Sequence, residues 1–83
     1  MDKNKLKPMW VATITDIDRT WEGRSPFFAN DQATATDYAK RVILGEYHDY
    51  GVKLLDLWRV SDVSRDLYIA GSILTKDLQP YYS

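Results

Sequence analysis

Ala35, Tyr38, Ala39, Val42 and Ile43 recur at i, i+3, i+4, i+7 and i+8, a spacing that only a helix gathers onto one face. The runs before and after it alternate instead. In MWVATITDI, residues 9 to 17, Trp10, Ala12 and Ile14 share one side at strand spacing, and β-branched and aromatic residues dominate. In VKLLDLWRV, residues 52 to 60, length and bulk point to a central strand covered on at least one face. Val52, Leu54, Trp58 and Val60 take its inward side; Lys53, Leu55, Leu57 and Arg59 take the other. A chain that changes period in this way must lay a helix on a sheet.

The connections fill in the order. DRTWEGRS is polar, with Gly23 near its middle, and leads into Pro26-Phe27-Phe28-Ala29, which reads as a hairpin with a long tip. Asn30 or Asp31 can cap the helix by accepting backbone N–H bonds, and Gly45 can stop it. Asp62-Val63-Ser64-Arg65-Asp66 has turn composition, and Leu67-Tyr68-Ile69-Ala70 can return as an antiparallel strand. The expected fold is α+β, ββαββ, with one amphipathic helix on an antiparallel or mixed sheet. Residues 9–71 form a single domain, 1–8 a flexible basic arm carrying Lys3, Lys5 and Lys7, and 72–83 a tail, docked or swapped.

With 83 residues and no cysteine, the chain has room for one core and no disulfide or thiolate metal site. A domain of this size buries only about 60 to 65% of the surface its unfolded form exposes, so dimerisation is the reinforcement to expect. No run reaches the roughly 18 apolar residues of a membrane span. The start lacks the apolar core of a signal peptide, so the cytoplasm, of a cell or of an infected host, is the expected location.

Ile14-Thr15-Asp16-Ile17-Asp18-Arg19-Thr20 raises the possibility of catalysis, because an apolar strand ending in Asp-x-Asp-x-Thr opens aspartate-nucleophile phosphatases. That chemistry also needs a downstream Lys, further metal-binding acids and a parallel crossover sheet. The chain is too short to supply them, and Asp is a favoured turn residue. His48 beside Asp49 has no marked nucleophile to serve. Neither a glycine-rich phosphate loop nor a metal spacing occurs. No enzymatic activity, cofactor or metal is expected.

The strand ending in an acidic turn, then Pro26-Phe27-Phe28-Ala29-Asn30-Asp31 opening a helix, then His48-Asp49-Tyr50, then Asp56-Leu57-Trp58-Arg59-Val60, together resemble the small nonstructural protein of gokushoviruses, phages with circular single-stranded DNA. The likeness spans roughly residues 10 to 70. It implies a DNA-binding or replication-associated accessory and carries over no catalytic residue. Ser61 stands where that family usually has Gly, and the segment from Asp62 to Asp66 has no Gly.

Eleven aromatics, three of them Trp, accompany a net charge of −1. A protein that grips nucleic acid by neutralising phosphates usually carries a positive excess, so any grip here must be local. The tip Arg19-Thr20-Trp21-Glu22-Gly23-Arg24 interleaves one indole with two cations. Lys53, Arg59 and Tyr68 are expected to join it from the sheet face that the helix leaves open. On that face Leu55 and Leu57 read as a homodimer interface, while Trp10, Trp58, Phe28 and Tyr38 are expected in the core. Single-stranded DNA is the leading partner; a host protein bound through an acidic and aromatic surface is the alternative.

Overall fold

The structure, a computed structural model, describes residues 7–46 and 51–80. Lys3, Lys5, His48 and the last three residues lie outside that range. Strand β1 (Met9–Thr15) is the middle of an antiparallel sheet ordered β2-β1-β3, with β2 at Glu22–Phe28 and β3 at Lys53–Arg59. All seven residues of β1 are buried. Its even positions Trp10, Ala12 and Ile14 meet Phe27, Ala29, Ala35, Ala39 and Ile43, whereas Met9 and Val11 meet Val60 and Leu78 on the other side. The central strand is therefore β1 and not β3. The reason is charge: β1 carries none, while β3 has Lys53, Asp56 and Arg59 and takes an edge.

Helix α1 (Gln32–Tyr38) starts where Asp31 accepts the Thr34 N–H at 2.8 Å. It continues through a π-helical turn, Ala39–Ile43, and a last α-helical turn, Leu44–Glu46, so Gly45 does not stop it. Ala35 and Ala39 face Ala12, and these small side chains let the helix sit close on the sheet. Trp10 locks the same layer by donating from Nε1 to the Ala29 carbonyl at 3.0 Å. Phe27 fills this core and stacks on Tyr38 at 4.6 Å, while Phe28, paired with Met9, is exposed. Of the four aromatics expected inside, Trp10 is buried and Trp58 half-buried; Phe28 and Tyr38 are not in the core. Adjacent strand residues point oppositely, so only one of the two phenylalanines can enter.

A β-bulge breaks β3. Thr13 pairs with Asp56 and Ile14 with Leu54, which leaves Leu55 as the extra residue. Leu54 and Leu57 consequently both pack under α1, while Trp58 and Val60 face the second cluster. The simple alternation expected for this run fails at that point. Leu57 does not lie on an open face with Leu55, so the surface proposed for dimer contact is not formed as expected.

The segment expected as a fourth strand is a helix, Asp62–Ile69. Ser61 caps it by accepting the Ser64 N–H at 3.1 Å, Asp62 sits at its positive end, and Gly71 closes it with φ +78°. The residues that read as a turn are its first turn. The element order is thus ββαβα, within the α+β class. Residues beyond this second helix return to the sheet: Val60 bridges Pro80, the Ser61 N–H reaches the Gln79 carbonyl at 3.2 Å, and Leu78 is buried. Pro26 on one edge strand and the bulge on the other interrupt the edges of the sheet.

Replacing Trp10 with Phe keeps most of the apolar volume but orphans the buried Ala29 carbonyl, a change that costs about 1–3 kcal/mol. Urea unfolding of the Trp10→Phe variant is expected to show a lower midpoint with an unchanged slope.

Candidate nucleic-acid interface

The tip between β1 and β2 is built by short polar contacts. The Arg19 N–H donates to the Asp16 carbonyl at 3.1 Å, and Arg19 adopts φ 58°. The Asp16 carboxylate accepts the Thr20 N–H at 2.6 Å and the Thr20 hydroxyl. The Thr20 hydroxyl is the main influence that holds the Asp16 carboxyl below the ordinary aspartate range. The two acids of the Asp-x-Asp-x-Thr stretch sit in this turn, with Asp16 tied into the tip and Asp18 exposed.

Trp21 follows directly. The Thr15 hydroxyl donates to its carbonyl at 2.6 Å, and its ring lies on Gly23, where an added Cβ would come within 3.2 Å of the indole. A side chain there would push the indole outward by a few tenths of an ångström, and this glycine belongs to β2 rather than to a loop. The indole remains 41% exposed. It is a supported aromatic platform at the edge of the sheet.

The other expected contact residues separate. Arg24 and Lys53 lie on the sheet face away from α1, in the rows Arg24–Thr13–Asp56 and Glu22–Thr15–Lys53. Each row ends in one cation and one carboxylate, so charge alternates across this face rather than accumulating. Arg59 stands opposite Trp10, on the other side of the bulge from Lys53, and pairs with Asp62 at 3.5 Å. Tyr68 is in the second helix and packs against the cluster of Met9, Val11, Val60 and Leu78. Lys53, Arg59 and Tyr68 thus form no common surface. The reasons are the bulge and the helix, neither of which the alternation pattern contains.

A different set does converge on Arg24. Its guanidinium lies over the Trp58 ring, 5.2 Å from the centroid, and Nη1 donates to the Lys76 carbonyl at 2.8 Å. The 3₁₀ turn Thr75–Asp77 thereby closes on β2, and Glu22, Arg24, Thr75 and Lys76 line a groove of about 300 Å³. Lys76 and Thr75 were missed because their place depends on a contact 52 residues away in sequence. The signal for them in the sequence is the weak apolar pattern of Ile73, Leu74 and Leu78, which is compatible with a docked tail.

Among the described residues no cluster of three or more His, Cys, Asp or Glu could hold a metal ion, and no helix is long and apolar enough to cross a membrane. No protein-family model matches the chain, and no curated protein or solved structure matches it either.

Because the Asp16 carboxyl titrates low in the folded chain, the stabilisation it gives the tip is complete above the usual aspartate value, near pH 4, and is lost as pH falls through the folded value. Amide exchange at Thr20, corrected for intrinsic rate, is expected to lose protection in that acid range. The Asp16→Ala variant should lack the protection at every pH.

Proposed function

We propose that this chain is a non-enzymatic phage accessory protein that binds single-stranded DNA weakly and with little sequence preference, in support of genome replication in the host cytoplasm. The observation that carries this reading is the half-exposed Trp21 ring seated on Gly23 at the sheet edge, with Arg24 and Lys76 on the opposite face of the same edge strand. An indole held in place offers a face on which any base can stack, worth on the order of 1–3 kcal/mol per base. Arg19 at the tip, and Arg24 and Lys76 across the edge strand from the indole, supply phosphate contacts to a single strand that passes around this edge.

The magnitudes keep the binding weak. Each neutralised phosphate of a single strand contributes about −0.7 to the slope of log affinity against log salt, so three contacts give roughly −2. Glu22 lines the groove and Asp18 is exposed at the tip, which offsets part of that attraction. The likeness of residues 10 to 70 to the gokushovirus protein supports the same role. Lys53, Arg59 and Tyr68 are left out of the proposed contact set by their positions.

Titration with an unstructured thymidine oligonucleotide of about 16 nucleotides is expected to quench tryptophan emission at low salt, with the salt slope near −2 given above. Trp21→Ala should weaken binding by roughly tenfold, equivalent to the loss of about 1.4 kcal/mol, and Arg24→Gln should make the slope shallower by about 0.7. Absence of any binding at low salt would remove the proposal.

A further inference from the structure

Phe28 is an aromatic residue of β2 that belongs to neither hydrophobic cluster, and it is 45% exposed. Pairing with Met9 fixes its place on the sheet, as pairing with Thr13 fixes that of Arg24. Alternate residues of a strand share a face, so Glu22, Arg24, Pro26 and Phe28 form one row on the side away from α1. Phe28 stands about 13 Å from Arg24 along this row, at about 3.3 Å per residue.

The surroundings of the row select what can cover it. Its one acid, Glu22, lies at the end toward the tip, and from Arg24 to Phe28 there is none; Asp56 is at the opposite edge of the sheet. Lys76 is tied to Arg24 through its carbonyl, with Asp77 next in the chain. Past Phe28, the Ala29 N–H donates to the Pro8 carbonyl at 3.1 Å, which brings the exposed Lys7 to that end of the row. The acid that follows in sequence, Asp31, is engaged by the Thr34 N–H at the start of α1. An open ring therefore sits on an uncharged stretch with a cation at each end. Pro26, in the middle of the row, has no N–H to offer a further strand, so this edge is poorly suited to pairing with a second copy. A single strand of DNA needs no such ladder: its phosphates meet the cations and its bases the ring.

We infer that Phe28 is a second base-stacking residue, so that a strand held at Trp21 passes around the edge of β2, over Arg24 and Lys76, and places a further base on Phe28. This rests on the single-stranded DNA reading above and gives the bound track an extent of roughly 23 Å, seven residues of strand at about 3.3 Å each. Phe28→Leu keeps an apolar side chain and removes the ring. It is expected to weaken binding of a thymidine oligonucleotide of about 16 nucleotides by roughly tenfold, with the salt slope unchanged because no phosphate contact is lost. Phe28→Trp should retain the affinity, and placed in a Trp21→Ala chain it should restore the emission quenching that Trp21→Ala removes. The side chain is half-exposed, and thermal melts matching the parent chain show that the variants fold. Binding that Trp21→Ala weakens and Phe28→Leu does not would overturn this inference alone, whereas no binding by the parent chain removes it together with the reading it rests on. Self-association in sedimentation that Phe28→Leu abolishes would also overturn it, since the ring would then be covered by a second copy.

Discussion

Burial of β1 on both faces is the constraint from which the rest of this protein follows. A chain of this length cannot build one deep core, and it places an uncharged strand as a common wall between two shallow ones. On one side the small residues Ala12, Ala35 and Ala39 bring α1 close, and the Trp10 bond to Ala29 fixes the layer. On the other side Met9 and Val11 are covered by Val60 and Leu78, with Trp58, Tyr68 and Ile73 around them. Each side needs the strand that the other buries, so the segment after the second helix must fold back for the second cluster to close.

The parts of this arrangement that local chemistry dictates were legible in the residues. Alternation marked β1, the aspartate at position 31 marked the start of α1, and the apolar stripe from Ala35 to Ile43 marked its inner face. What was not legible depends on partners. The Ser61 cap and the Asp62 first turn are common to turns and helix starts, and only the packing of Tyr68 and Ser64 against the sheet decides for a helix. Leu67 to Ala70 has strand-like composition, yet the apolar face it would complete is already taken by β1 and β3. Likewise, the central place went to the strand without charge, a comparison between strands that neither run reveals by itself.

The candidate site shows the same division. Trp21 was recognised as an exposed aromatic because its neighbours are polar and glycine-bearing, and both properties act locally. The grouping of Lys53, Arg59 and Tyr68 assumed one uninterrupted pleat, and it fails because the phase of β3 shifts at Leu55. The contact of Arg24 with Trp58 and Lys76 joins three separate stretches of chain and could be found only in three dimensions. Cations and carboxylates alternate across the sheet face, so the molecule concentrates neither sign there, and its exposed aromatic lies at the sheet edge.

The extra residue in β3 gives strand length a meaning of its own. Residues alternate between the layers on both sides of it, Leu54 and Leu57 serving the helix layer and Trp58 and Val60 the opposite one, and the extra residue keeps the two alternations in phase with β1. Related chains can therefore exchange leucine, valine or isoleucine on either side of position 55 and keep the architecture. A chain that lost Leu55 would run an unbroken ladder, with Leu54 and Asp56 still opposite Ile14 and Thr13 and with Leu57 and Trp58 on their present faces, so this is the one place where the strand can shorten without exchanging its two layers.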